Sequence, residues 1–187
     1  MNDLLFVQMH GAPGSGKSTL ARGLGAKLGA VVVDKDILSS GALAAGVPFA
    51  EAGRVAYSQA WLLLQDLLRQ GRSVIHDSPC FWPIIEERGR EIAAAAKARY
   101  VMVETVCPDE AELERRVMHR DALPSQLRVL HAGAGRPGMY EPSCCRLIVD
   151  GRTAVANLVR ECLSYLSRPA ADDLHPSPLP EGEGGDA

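Results

Sequence analysis

Residues 11–19 read Gly11-Ala12-Pro13-Gly14-Ser15-Gly16-Lys17-Ser18-Thr19. The spacing is G-x-x-x-x-G-K-[ST] without a mismatch, and its flanks suit it: an apolar run from Leu4 to His10 before it and a helical stretch to about Leu28 after it. Polyphosphate is recognised by backbone N–H groups, which reach it only where side chains are absent. Gly11, Gly14 and Gly16 permit that approach and the unusual dihedrals it needs. The following helix contributes the partial positive charge of its N-terminus. Lys17 is placed to bridge β- and γ-phosphates and the Ser18 hydroxyl to ligate Mg²⁺. Gly11, Pro13, Gly14, Ser15, Gly16, Lys17, Ser18 and Thr19 are therefore expected to hold a nucleoside triphosphate. The competing reading, a glycine-rich strand–helix turn with a chance lysine, leaves the agreement of motif and flanks unexplained.

Outward from this loop, strand-like and helix-like segments alternate. Ala30 to Asp34 carries three consecutive valines, whose β-branching suits a short buried strand. A helical region follows, strongest from Arg54 to Gln70, with Ala60, Leu63, Leu64, Leu67 and Leu68 on one face. Gly71 stops it, and Ser73 to Asp77 reads as the next strand. Pro83 opens a helix to about Ala98, Tyr100 to Val106 is a strand, and Pro108-Asp109-Glu110 starts a charged helix to about Arg120. Asp121 to Tyr140 reads as a mobile loop or short lid. Arg146 to Val149 is a fifth strand, and from Thr153 a closing helix carries Val155, Leu158, Val159, Cys162, Leu163 and Leu166 at helical spacing. Alternation of this kind predicts an α/β protein with a mostly parallel sheet and helices on both faces. Ligands on such folds bind at the carboxyl ends of the strands.

The chain has 187 residues, 47% of them hydrophobic and 23% charged, which suits one globular domain. Residues 168–187 differ: four prolines, three glycines and five acidic residues against one basic predict a disordered tail behind a body of residues 1–167. Without that segment, the 20 basic and 23 acidic residues become 19 and 18, so the net charge of −3 belongs largely to the tail. Bulk electrostatic coating of nucleic acid is thereby disfavoured, although a local basic groove is not. No apolar run is long enough to cross a membrane. Asp3 without a basic start argues against a secretory leader, which predicts a cytoplasmic location. The five cysteines are odd in number and hold no C-x-x-C, so reduced thiols are expected rather than a zinc site.

The loop does not by itself distinguish kinase, GTPase and motor. A guanine-reading N/T-K-x-D after a later strand is missing, and Asp34-Lys35-Asp36 comes too early to serve. The strand ending Val74-Ile75-His76-Asp77-Ser78 has no glutamate beside its aspartate to polarise water. Both features favour phosphoryl transfer over hydrolysis. Asp36, and less so Asp34, could face the γ-phosphate and take an acceptor's proton; capping of the next helix is the alternative. Asp77 could hold a magnesium-bound water or the acceptor; its alternative is a turn before Ser78-Pro79. Arg116 and Arg120 share a helix face and could clamp phosphates or stack on adenine, or form a solvated face with a Glu112–Arg116 pair. Arg128, His131 and Arg136 could reach a substrate from the loop. Tyr57, Trp61, Phe81 and Trp82 could line an acceptor pocket, though core packing is commoner. His10 and His76 read as satisfied core residues.

In order, GAPGSGKST, VVVDKD, SVIHDSP, ELERRVMHR and YEP resemble the small P-loop kinases of the AAA-type ATP-binding group, which includes gluconate kinases, adenylylsulfate kinases, chloramphenicol phosphotransferases and zeta toxins. The likeness spans Leu4 to about Leu166. It implies a three-layer P-loop NTPase fold with a five-stranded parallel sheet in the order 2-3-1-4-5 and a short lid. It also implies ATP and Mg²⁺ at Gly14 to Thr19, an acceptor-activating Asp36, lid-side Arg116 and Arg120, and adenine near Gly151 and Arg152. Asp36-Ile37-Leu38-Ser39 stands where sulfate-activating relatives carry D-N-V-R, so their substrate-gripping arginine is missing. The expected activity is transfer of the γ-phosphoryl group of ATP to a hydroxyl of a small-molecule acceptor. A polynucleotide or tRNA kinase, or a nucleotide-binding regulatory module, are the alternatives.

Overall fold

A computed structural model describes residues 4–126 and 140–168. Five strands form one parallel sheet: β1 (Leu5–His10), β2 (Val31–Asp34), β3 (Val74–Asp77), β4 (Arg99–Val106) and β5 (Arg146–Asp150), in the order β2-β3-β1-β4-β5. Between and after them run α1 (Lys17–Leu28), α2 (Lys35–Ala44), α3 (Phe49–Arg69), α4 (Pro83–Ala95), α5 (Glu110–His119) and α6 (Val155–Leu166). β1 is central, so its side chains are buried on both faces; even Gln8 and His10 are enclosed.

Two apolar layers cover the sheet. On one face Leu20, Ala21 and Leu24 of α1 meet Leu158, Val159 and Cys162 of α6 over Val7, Met9 and Val103. On the other, Ala60, Leu64 and Leu68 of α3 and Ile92 and Ala93 of α4 pack on Phe6, Val33 and Val74. The buried row of α3 is Ala52, Ala56, Ala60, Leu64 and Leu68. Leu63, expected on this face, is 44% exposed; the alanines let the helix approach closely along a strict four-residue row, which turns Leu63 outward. In α6, Tyr165 joins the buried row, and Val155 stands exposed at the first turn.

The helical region expected after Asp34 is two helices. Gly46 at φ 87° turns the chain out of α2, with Val47 N–H donating to Ala42 O at 3.0 Å, and Pro48 caps the start of α3. Helix α4 ends at Ala95, short of Ala98, because Lys97 takes a left-handed φ of 55° and Ala98 N–H returns to Ala93 O at 2.8 Å. All five cysteines are free thiols, with Cys80 and Cys162 buried. No described helix is long and apolar enough to cross a membrane. Of the expected tail only Arg168 is described, its carbonyl accepting from Arg99 at 2.7 Å; residues 169–187 lie outside the described residues, as do 127–139 with Arg128, His131 and Arg136. The topology brings residues 10–19, Asp34, Asp77, Val106 and Asp150 to one edge, the carboxyl ends of the strands.

Candidate active site

The loop between β1 and α1 has the backbone its glycines allow: φ is 132° at Gly11, 83° at Gly14 and 102° at Gly16. Space as well as dihedral demands glycine at two of these. A Cβ on Gly11 would lie 2.3 Å from Thr105 O, and one on Gly14 would lie 3.0 Å from Leu113 O. Ser15, fully buried, shares a 2.7 Å hydrogen bond with the Thr105 hydroxyl of β4, fastening the loop to the sheet. Lys17 Nζ donates to Ala12 O at 3.0 Å. The half-buried ammonium is poorly hydrated, which lowers its pKa, while Asp77, Asp36 and Asp34 pull it back up.

Three carboxylates face this lysine, each in a different setting. Asp34 caps α2, its Oδ1 accepting from the N–H groups of Asp36 (2.9 Å) and Ile37 (3.4 Å), while Arg22 reaches Oδ2 at 3.2 Å. Its structural role is thus the capping one. Asp36 stands free of that duty in the first turn, paired with Lys35 at 2.7 Å. Asp77 is 4% exposed, and its burial raises the carboxyl pKa against the opposing pull of Lys17 and a hydrogen bond from Ser18. Its Oδ2 is buried and finds no hydrogen-bond partner among the described residues. An orphaned acceptor beside the first-turn hydroxyl of α1 fits the oxygen donors that a Mg²⁺ takes, and Ser18 and Asp77 are the residues that would hold it. No described group of three or more His, Cys, Asp or Glu side chains gathers into a metal site of its own.

The opposite wall comes from α5 and the turn after β5. Arg116 donates from Nε to Glu112 at 2.6 Å, and from Nη1 to Gly151 O at 2.9 Å and Gly14 O at 3.4 Å. Both the ordinary helix pair and a place at the loop are therefore realised in one side chain. Gly151 presses on the loop so closely that a Cβ there would fall 1.8 Å from Ser15 O. Arg120, just past α5, lies near enough to Lys17 to lower its pKa. Arg152 folds back on Asp150, with Nε 3.0 Å and Nη2 2.5 Å from Oδ2.

Together these groups line one cavity of about 810 Å³. Pro13, Gly14, Gly16, Lys17, Ser18 and Thr19 reach it, as do Asp36, Asp77, Arg116, Arg120 and Arg152. Ser15 and Gly11 stand behind it, anchoring the loop. Of the aromatic candidates only Phe81 lines the cavity; Tyr57 and Trp61 pack around the buried His76, and Trp82 is 56% exposed. The two strand histidines are interior as expected, but His76 is satisfied only in part, because its Nε2 is buried with no hydrogen-bond partner among the described residues. His76 Nδ1 donates to Gln8 Oε1 at 2.8 Å, and burial drops its pKa to about 3. His10 Nδ1 donates to Pro79 O at 2.9 Å.

Some contributors escaped sequence reasoning. Ser125 and Gln126 join the cavity through contacts to α2, and Thr105 fastens the loop. Gln126 and Thr105 lie about 90 positions from their partners, a separation no motif spacing encodes. Glu86, on a helix of charged residues, is 1% exposed because Tyr140 Oη (2.8 Å), Ser143 N–H (3.0 Å) and Ser143 Oγ (2.7 Å) donate to it, tying the stretch before β5 to α4.

No curated protein sequence matches the chain. Among solved structures it is similar to the APS kinase CysC of Mycobacterium tuberculosis in complex with AMPPNP and APS, at 23% identity and a TM-score of 0.68 over 89% of this chain and 99% of that one. It also resembles a gluconokinase of Sinorhizobium meliloti, at 21% identity and a TM-score of 0.58 over 92% and 97%. A sugar kinase of Janibacter sp. gives 20% identity and a TM-score of 0.60 over 92% and 99%. The sheet order and the packing of helices about it are thus those of the P-loop NTPase fold. The AAA domain family profile matches residues 6–131, from within β1 past α5, and the chain belongs to that family.

Proposed function

We propose that the protein is an ATP-dependent phosphotransferase that moves the γ-phosphoryl group to a hydroxyl of a small-molecule acceptor. One observation carries this: a single cavity holds Lys17 and Ser18 of the glycine loop together with the carboxylates of Asp36 and Asp77. The backbone N–H groups of residues 13–19 would cradle the phosphates, Arg152 would stand at the adenine end, and the acceptor would enter beside Asp36. Mg²⁺, when bound through Ser18 and a water on Asp77, would neutralise phosphate charge. In the transfer the acceptor oxygen bonds to the γ-phosphorus as the bond to the β-bridging oxygen breaks, and ADP departs with that electron pair. Lys17 follows the charge that develops on the bridging side, and Arg116 and Arg120 stand across the cavity to stabilise the equatorial oxygens. Asp36 orients the acceptor hydroxyl and accepts its proton. Residues 1–167 form the catalytic body in this proposal, with 168–187 as a tail.

APS bound together with AMPPNP in the APS kinase structure, and the sugar-acid acceptor that the gluconokinase's name implies, support the choice, while the acceptor here is left open by the change to Ile37-Leu38-Ser39. The test is incubation with Mg²⁺ and γ-labelled ATP in two pools, a small-metabolite extract and a mixture of tRNA and oligonucleotides, each beside a Lys17→Ala control. Lys17-dependent label in the metabolite pool is the expected result. Label confined to the nucleic acids would transfer the assignment to a polynucleotide kinase. Label in neither, with ATP still bound, would leave a nucleotide-binding module.

A further inference from the structure

Asp36 is held from two sides. Its Oδ1 meets the Lys35 ammonium at 2.7 Å, and its Oδ2 accepts from Gln126 Nε2 at 2.9 Å. The orientation of the Gln126 amide is fixed independently, because its Oε1 accepts the N–H of Leu123 at 3.2 Å, which leaves the nitrogen to face the carboxylate. The segment carrying Gln126 is itself stapled to α2. Ser125 Oγ donates to Asp36 O at 2.9 Å and accepts from Ser40 Oγ at 2.9 Å, while Ser125 N–H reaches Ser40 Oγ at 3.3 Å. Ser40 lies one helical turn beyond Asp36, so staple and carboxylate share a face.

Resting on the phosphotransfer proposal, we infer that Gln126 is a positioning residue for the reaction: its amide fixes the Asp36 carboxylate toward the acceptor hydroxyl, and the Ser40–Ser125 pair holds the amide in place. Docking of the segment does not need Gln126, since the two serines already accomplish it; the amide is directed at the one carboxylate of the three that caps nothing and is not deeply buried. A carboxylate oxygen accepts more than one hydrogen bond, so Oδ2 can receive an acceptor O–H beside the amide. Charged and titratable groups face Asp36 from every packed element: Lys35 on its own helix, Lys17 from α1, Asp34 from β2, Asp77 from β3 and Tyr57 from α3. Burial raises the Asp36 pKa, but Lys35, Gln126 and Lys17 outweigh it and hold the group below the usual carboxylate value. Gln126 stabilises the ionised form, so its removal moves the titration upward.

The experiment follows the Asp36 side-chain carboxyl by NMR through a pH titration of full-length protein carrying ¹³C-labelled aspartate, in wild type, Gln126→Ala and Ser40→Ala. The expected result is an upward move in Gln126→Ala and a smaller one in Ser40→Ala, with AMPPNP affinity unchanged. Once an acceptor is labelled, Gln126→Ala should lower kcat on the order of tenfold at constant KM for ATP and shift the acid limb of kcat to higher pH. Gln126→Leu replaces Gln126→Ala should the smaller side chain compromise folding. An unmoved Asp36 titration in a folded variant, or an unchanged kcat, would overturn the inference. The titration needs no acceptor: if neither pool takes label, the phosphotransfer assignment fails while the Gln126–Asp36 link is still judged.

Discussion

Lys17 and Asp77 concentrate the electrostatic demands of the site. Lys17→Ala should lower transfer by about 10²–10³-fold or more, the scale for removing one donor to a developing oxyanion, while the circular-dichroism spectrum stays that of the folded protein. Asp77 behaves oppositely in the absence and presence of substrate. Its folded-state pKa lies above that of the unfolded chain, so its contribution to stability is fully present below the ordinary carboxylate pKa and is lost as pH rises through the raised value. Asp77→Asn removes that loss. Thermal unfolding of the nucleotide-free variant at neutral pH should therefore match or exceed wild type, with no such gain at pH 3, whereas Mg²⁺-dependent transfer should fall. A lower melting temperature than wild type at neutral pH would contradict this link between the buried charge and stability. The glycine loop was legible because its requirements are local: dihedrals, N–H groups and one lysine are set by consecutive residues. The partners of Asp36 were not, because Gln126 reaches it through tertiary structure alone.

The turn between β5 and α6 shows how an element without a motif can govern one that has it. Gly151 supplies a carbonyl to Arg116 and lies against Ser15, where a Cβ would come 1.8 Å from a backbone oxygen. Neither chain segment can yield without moving the glycine loop. Gly151→Ala should cost about 1–3 kcal/mol, a fall of roughly 2–12 °C in melting temperature for a chain of this size, and weaken AMPPNP binding as the loop shifts. Calorimetry and equilibrium titration check both. Strands and helices were largely readable from apolar spacing and from Pro and Gly punctuation. The division of α2 from α3 depended on the backbone at Gly46 and Pro48, and the outward Leu63 on how closely the alanine row approaches the sheet. Glu86 was unreadable for another reason: a carboxylate in a charged helix looks solvated until Tyr140 and Ser143, far along the chain, arrive to satisfy it.

Across the whole molecule, acid sensitivity should begin at a histidine. His76 is fully enclosed with its pKa near 3, so between the ordinary imidazole pKa and that value the unfolded chain takes up a proton that the folded chain refuses. Stability should fall as pH drops from about 6.5 toward 5, ahead of general carboxylate protonation. His76→Gln, which retains a donor for Gln8, should flatten that decline in melting temperature; an unchanged slope would assign it to other groups. His10, also lowered by burial, adds in the same direction.

The central position of β1 carries a consequence for synthesis. Its partners are β3 and β4, with Phe6 beside Val74 and Tyr100, so β1 has no strand neighbour until Val74–Asp77 is made and lacks its second until Arg99–Val106 follows. The glycine loop that follows it leans on Thr105 and Gly151. On the ribosome, residues 11–19 emerge before both of these supports and acquire their shape only after them. A stalled nascent chain ending before β5 would display the entire phosphate motif and grip no nucleotide.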